Sequence, residues 1–531
     1  IKPKPKGQIV IVAAGTVATL SGVELTGGKA KKGGGGALAN SGTTTVTGST
    51  ITTSTGRQGG GIANSSTGVL TLENSTISSN TAAKGATEHP GSDGGGIENA
   101  GTLTLSGSTV TQNSAGYGGR GVNNPAGDGG NGGGIANTGT VVATGSTISG
   151  NSAGGGGYGV GGNELSGNGG NGGGIYSPHG SVSLTGTVVT GNAAGQSGSA
   201  GEGPVNAGDG GGVWSSATLV VTASTFSTNT GGGATGPGGN GGGIFSSGTA
   251  TVSQSTFTGN VGGVGDTVGG NGGGIASTGT LTLTGSTLSG DVAGAGAGGA
   301  TGGNGGGLFV GGGTATLSAD TFSADVSGAG GPAPFSDPGC LHPGPGGNGG
   351  GIYSSATLNV TNTTLSQNTT GVGGSYQLPC IGQAPSGVGG GVATGGGTAT
   401  VSYATVADNS DGITNLAGTV TLGGTIVADS TGANCTGAVT ETSGYNLDSG
   451  TTCGFALASD VTGTEPMLGA LAANGGPTPT QALASSSPAI DHAGTSASGC
   501  PVADQRGLPR PDETADAGHC DIGAYESQGL A

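Results

Sequence analysis

One repeated unit governs this chain. Its cleanest copy is GGGIENAGTLTLSGSTVTQNSA, from Gly94 to Ala115, and it returns as NGGGIANTGTVVATGSTISGNSA from Asn131 and NGGGIFSSGTATVSQSTFTGNV from Asn240. Further copies are NGGGIASTGTLTLTGSTLSGDVA from Asn271 and NGGGIYSSATLNVTNTTLSQNTT from Asn348. Counting degenerate copies, about a dozen units of about 22 residues run from Val10 to roughly Leu422. A unit of this size buries nothing alone, so neighbouring copies must stack into one continuous interior.

Composition rules out the other readings. Gly is 134 of 531 residues, aromatics are 3% and charged residues 7%, which excludes a core of large side chains between helices. The glycines cluster as GGNGGG instead of recurring at every third position, and Pro is only 21, so the chain is not collagen. Low charge density and regular Ile, Leu and Val spacing disfavour disorder.

Within a unit the apolar residues follow period two, as in Leu103 and Leu105 or Leu281 and Leu283, and then a lone Val110 or Leu288 sits between Ser and Thr. That is strand spacing. The expected fold is all-β: a parallel β-helix, or β-solenoid, of about 13 coils, each of three short strands rising about 4.8 Å, hence a rod of about 60 to 65 Å. Gly-rich inserts of unequal length, such as AGYGGRGVNNPAGDGG and SGAGGPAPFSDPGCLHPGPGG, leave every unit at one point. Stacking lines them up along one edge of the rod, either as a binding surface or as loops merely tolerated there. The expected organisation is a Lys/Pro arm over 1–8, repeats over 9–430, degenerate last coils over 431–473, and a C-terminal cap over 474–531. The chain begins at Ile1, without Met, and reads as processed or trimmed.

The net charge is −17, and between 121 and 505 there are 18 Asp and Glu but no Lys or Arg. A phosphate backbone needs cations, so nucleic acid is excluded as a partner of that stretch, and an anionic membrane equally. No apolar run reaches the ~18 residues of a transmembrane helix, and no signal peptide is visible.

The GGGI turn followed by an apolar residue and then Asn three positions on, as at Ile148 and Asn151, Phe226 and Asn229, Phe257 and Asn260, or Leu365 and Asn368, resembles the GGAI and FxxN repeats of polymorphic outer-membrane proteins. Those are surface-displayed β-helical autotransporters. The stretch NGGPTPTQALASSSPAIDHAGTSASGCPVADQRGLPRPDETADAGHCDIGAYE, from Asn474, is similar to the tail of bacterial extracellular right-handed β-helix proteins with a choice-of-anchor Q region. The resemblance implies a right-handed coil and an extracellular, secreted or cell-surface bacterial protein with no established catalytic site. No membrane β-barrel follows the repeats, so autotransport is not expected.

Six cysteines suit an oxidising compartment. The expected pairs are Cys435 with Cys453 around a short turn, Cys500 with Cys520 in the tail, and Cys340 with Cys380 in successive inserts. The alternative is free thiols in a reducing cytosol. Absence of CxxC spacing argues against a Cys metal site.

An acid–base or uronate-processing enzyme needs clustered carboxylates with a Lys, Arg or His, and His179 and His342 stand isolated. Asp291 and Asp325 replace Asn in adjacent coils, which stacks their carboxylates about 5 Å apart. Such a pair suits a rung in a side-chain ladder, a Ca²⁺ site, or a retaining glycosidase; no catalytic residue, resident metal or cofactor is assigned, with Ca²⁺ the one candidate. Paired outward threonines, as at Thr249 and Thr251, Thr280 and Thr282, or Thr398 and Thr400, are similar to the lattice of β-helical ice-binding proteins, but Val141 with Val142, Ser181 with Ser183, and Val220 break it. Finally, Lys2, Lys4 and Lys6 precede the alternating strand Ile9, Val10, Ile11 and Val12. A basic end with an uncovered strand, facing an acidic body, favours head-to-tail assembly into filaments; the alternative is a frayed terminus on a monomeric rod. The expected function is therefore a structural or adhesive surface protein whose partner is itself or a surface glycan or protein, with a carbohydrate-binding or carbohydrate-cleaving β-helix as the alternative.

Overall fold

The computed structural model describes residues 7–30, 33–160, 165–199, 203–334, 342–377, 381–442, 444–495, 499–511 and 518–528. Lys2, Lys4, Lys6, Cys340 and Cys380 lie outside the described residues. The chain is an all-β parallel solenoid, and no helix occurs among the described residues. Most coils carry a lead strand, a long strand and a third strand, for example Ile97–Asn99, Thr102–Ser106 and Thr109–Thr111, while at Val392–Ser402 and Ile413–Gly423 the lead and long strands run together as one. Lead and long strands belong to one 26-stranded sheet, and the third strands stack into a separate 15-stranded sheet.

Period two decides which side chains enter. In that coil Ile97, Leu103, Leu105 and Val110 are fully buried, while Glu98, Thr102, Thr104 and Thr109 face outward. Parallel register turns these positions into columns, with Ile97 between Ile62 and Ile135, and Val110 between Ile77 and Ile148. The third strand is held to three residues because left-handed backbone follows it: Gln112 has φ 55° and its counterpart Gly150 has φ 61°.

Two buried columns satisfy the polar corners. In the first, the backbone N–H and side-chain Nδ2 of Asn113 both donate to Asn151 Oδ1 at 3.0 Å, and the same Nδ2 donates to Ile77 O at 2.9 Å. Asn80, Asn151, Asn192, Asn229 and Asn368 repeat this three-bond pattern. In the second, at the ends of the lead strands, Asn40, Asn64 and Asn99 donate in turn to the Oδ1 of the next Asn, ending on Asn137.

The described legs of the Gly-rich inserts are not loose. Each leaves after a third strand and returns before the next lead strand, and both legs hydrogen-bond to the next coil, as in Gly118 N to Gly155 O and Gly129 N to Asn168 O, both 2.9 Å. The legs also bond to each other in a zigzag: Gly130 N to Gly116 O and Gly154 N to Gly130 O at 2.8 Å, Gly170 N to Gly154 O at 2.9 Å, and onward to Gly387. The result is a wall of polyglycine legs bonded in two directions. Here Gly is required by distance: a Cβ on Gly154 would stand 1.9 Å from Gly116 O, and one on Gly263 would stand 1.7 Å from Gly232 O.

At the far end, Cys435 and Cys453 form a disulfide that sets Cys453 and Phe455 against the core. A second disulfide joins Cys500 to Cys520 within the tail. The described part of the tail makes lateral contacts along the third-strand sheet. Gln505 donates from Nε2 to Asp320 O and Thr321 Oγ1 and accepts from Thr364 Oγ1, while Ala524 N donates to Thr405 Oγ1. Arg506 pairs with Asp504 at 2.8 Å and lies 3.7 Å over the Tyr525 ring. Buried Arg510 donates to Gly523 O at 2.7 Å and pairs with Glu526.

Candidate functional site

A groove runs where the returning legs of the wall meet the outward face of the lead strands. Its floor is the middle residue of each lead strand: Glu98, Ala136, Tyr176, Trp214, Phe245, Ala276, Phe309 and Tyr353, held side by side by parallel register. The aromatic members stack along the rod. Tyr176 and Trp214 have ring centroids 4.8 Å apart, Trp214 and Phe245 6.0 Å, and Phe309 and Tyr353 5.7 Å.

The side of the groove is a third polar ladder, built from the Asn or Asp that precedes each GGG turn. Asn131 donates from its backbone N–H to Asp93 Oδ1 at 2.6 Å, Asn171 to Asn131 Oδ1 at 2.8 Å, and Asp209 to Asn171 Oδ1 at 2.8 Å. Asn240, Asn271, Asn304 and Asn348 continue it. An outer ladder, three residues earlier in each leg, joins Asn168 to Asp128 and Asn206 to Asn168. Between the two ladders and Tyr176 lies a polar cavity of about 330 Å³, lined by Asp128, Asn131, Asn168, Asn171, Asn206 and Asp209.

The electrostatics are those of acids in a partly dry cleft. Burial and the neighbouring Asp93 push the Glu98 carboxyl up to about 7. Burial pushes Asp209 up to about 6 against hydrogen bonds from Asn240, and it raises Asp93 as well. Carboxyls shared between protonated and ionised forms near neutrality both donate and accept hydrogen bonds.

The sequence candidates fall elsewhere. Asp291 and Asp325 are rungs of the buried Asn column: Asn260 donates its N–H and Nδ2 to Asp291 Oδ1 at 2.7 and 2.9 Å, and Asp291 N donates to Asp325 Oδ1 at 2.9 Å. Both are fully buried inside the rod, where no substrate reaches them. Where Asn would present a donating Nδ2, each presents an Oδ2 without a hydrogen-bond partner. Burial holds both carboxyls above their ordinary range, and Asp291 raises Asp325 further. His342 lies exposed against the Tyr376 hydroxyl. No group of three or more His, Cys, Asp or Glu able to hold a metal occurs among the described residues.

Of the assembly candidates, Val10, Ile11 and Val12 pair only with Leu38, Ala39 and Asn40, while Ile9 packs partly buried against the core. No strand covers their other edge among the described residues, and Ile11 is 71% exposed. The threonine columns are in register, Thr249 beside Thr280, Thr314, Thr357, Thr398 and Thr419, with Asn359 interrupting the second column. Sequence reasoning missed the aromatic floor. Its signal was the variable residue between the apolar position after GGG and the following Ser, in GGGIYS, GGGVWS and GGGIFS.

Comparison of the chain with protein-family models, with curated proteins and with solved structures finds no match. No helix of the described residues is long and apolar enough to cross a membrane.

Proposed function

We propose that the chain is a secreted or cell-surface structural and adhesive β-solenoid, right-handed, with about 13 coils and residues 474–531 as its C-terminal cap. Its recognition surface is the wall of Gly-rich legs and the groove at the wall's foot. The observation that carries this reading is the wall itself. Inserts bonded leg to leg and coil to coil form a rigid, pre-organised surface, and pre-organisation lowers the ordering cost of binding. The two disulfides support an oxidising compartment outside the cell. The outer edge of Val10–Val12, which no strand among the described residues pairs with, supports end-to-end contact, since an edge strand is a template for another chain. The buried Asp291 and Asp325 support a binding role over a catalytic one, and the interrupted threonine columns rank ice binding below adhesion.

Solid-phase binding of the purified chain to whole bacterial cells, extracellular-matrix proteins and immobilised polysaccharides tests the reading. Saturable binding to at least one of these surfaces is expected. Absence of binding to all three would refute the adhesive role.

A further inference from the structure

We infer that the cavity beside Tyr176 is a binding subsite for an uncharged pyranose unit of a glycan, an inference that rests on the adhesive reading above. The first ground is the shape of the aromatic floor. One face of the Tyr176 ring packs against Trp214, but its register partner on the other side is Ala136. Among the described residues no ring stacks on that face, and Tyr176 lines the cavity. A flat apolar face next to a cluster of polar groups fits the C–H face and the hydroxyl rim of a pyranose ring.

The second ground is the set of polar atoms that the ladders leave over. Each rung spends one edge of its side chain on the neighbouring coil. Asp128 Oδ1 receives both donors of Asn168, and Asp209 Oδ1 receives both donors of Asn240, while their Oδ2 atoms make no hydrogen bond among the described residues. Asn171 accepts through Oδ1 from Asp209, and its Nδ2 donates to no described residue. Exposed Asn206 joins the ladder only through its backbone, so among the described residues its carboxamide has no hydrogen-bond partner, nor has the Tyr176 hydroxyl. The cavity thus offers two carboxylate acceptors, one amide donor, one complete amide and one phenol. Hydroxyl groups, each donor and acceptor at once, satisfy such a mixture, whereas a purely donating or purely accepting ligand does not.

The third ground is charge. The lining carries Asp128 and Asp209, Asp93 stands close enough to Tyr176 to raise its hydroxyl, and no Lys or Arg occurs from 121 to 505. Uronates and sulfated sugars would meet like charge without a counter-ion. The ligand class is accordingly neutral hexose or N-acetylhexosamine units, and the aligned ladders in neighbouring coils favour a chain of them over a single sugar.

Isothermal titration of the full chain with laminarin, mannan, arabinogalactan and chitohexaose, against polygalacturonate as the acidic probe, tests the assignment. Binding of at least one neutral glycan is expected, with none to polygalacturonate. Tyr176→Ala should weaken it at least tenfold, Tyr176→Phe less than threefold, and Asn206→Ala, at an exposed side chain that carries no structural bond, by three- to tenfold. Unchanged circular dichroism in all three variants keeps the comparison valid. Binding that Tyr176→Ala and Asn206→Ala leave intact would overturn the subsite while leaving the adhesive reading standing. The same holds for a preference for polygalacturonate, and for adhesion to cells or matrix without binding to any neutral glycan.

Discussion

Gly154→Ala isolates the packing of the wall from every other property of the rod. Gly154 donates to Gly130 O at 2.8 Å and accepts from Gly170 N at 2.9 Å, and a Cβ there would lie 1.9 Å from Gly116 O and 2.6 Å from Gly130 N. Ordinary van der Waals contact begins at 3.4 Å, so one leg must retreat by about 1.5 Å. That movement breaks at least one of the two hydrogen bonds, at about 1 kcal/mol, and adds overpacking of about 2 kcal/mol. The sum, about 3 kcal/mol, raises the local opening constant by about 150-fold. Gly145→Ala is the control: a Cβ there meets nothing within 4 Å, and the matching corner in other coils already holds Asn74, Ala223 and Gln254 at positive φ. Its cost is that of left-handed backbone alone, about 1 kcal/mol. Hydrogen-exchange mass spectrometry over peptides covering 115–130 and 153–170 reads the difference directly. Exchange of these peptides within threefold of wild type in Gly154→Ala would refute the close-packed wall, because flexible loops absorb a methyl group without opening.

Three further outcomes follow from the same structure. Asp291 and Asp325 have raised folded-state carboxyls, so the folded chain binds protons that the unfolded chain releases near ~4; stability therefore falls as pH rises from there to about 8. The double variant Asp291→Asn/Asp325→Asn restores the donating Nδ2 of a normal rung, so its melting temperature should exceed wild type at pH 7.5 and approach it at pH 4.5, with buried Asp320 leaving a residual slope; equal gains at both pH values would contradict protonated rungs. Removing the Cys435–Cys453 bond, whose partners are 18 residues apart, should cost about 3 kcal/mol and open the far end to limited proteolysis near residues 430–460 before the coils are cut. Negative-stain microscopy should show concentration-dependent filaments that Ile11→Lys abolishes; separate rods at all concentrations and salt levels would exclude end-to-end assembly.

How much could be read from residues alone depends on how local the governing physics is. The strands at Leu103 and Leu105, the stacking of units and the Cys435–Cys453 and Cys500–Cys520 pairs were legible because period two and short spacing are local signals. The place of Asp291 and Asp325 in an Asn column was legible from alignment of the copies. Whether that column faced solvent or the core was not, since a corner residue has no period to betray its side. That the inserts line one edge was legible from their common point of departure, but the bonding of Gly116, Gly130 and Gly154 across coils was not, because it is a non-local fact. The aromatic floor escaped for the opposite reason: Tyr176, Trp214 and Phe245 sit about 30 to 40 residues apart in sequence, and only register makes them neighbours.

The zigzag of bonds through the legs also has a mechanical meaning. In a solenoid every backbone bond between coils lies along the rod, so a pull on its ends loads each coil boundary in turn, and the boundary with the fewest bonds yields first. The polyglycine legs reinforce boundaries as far as Gly387, and the tail straps the flank between Ala319 and Ile426. Among the described residues, the coils from Val10 to Thr55 carry no leg of that zigzag and make no bond to the tail. Under tension those coils should yield before the ones joined by the legs, giving up short lengths of chain while the groove beside Tyr176 stays intact.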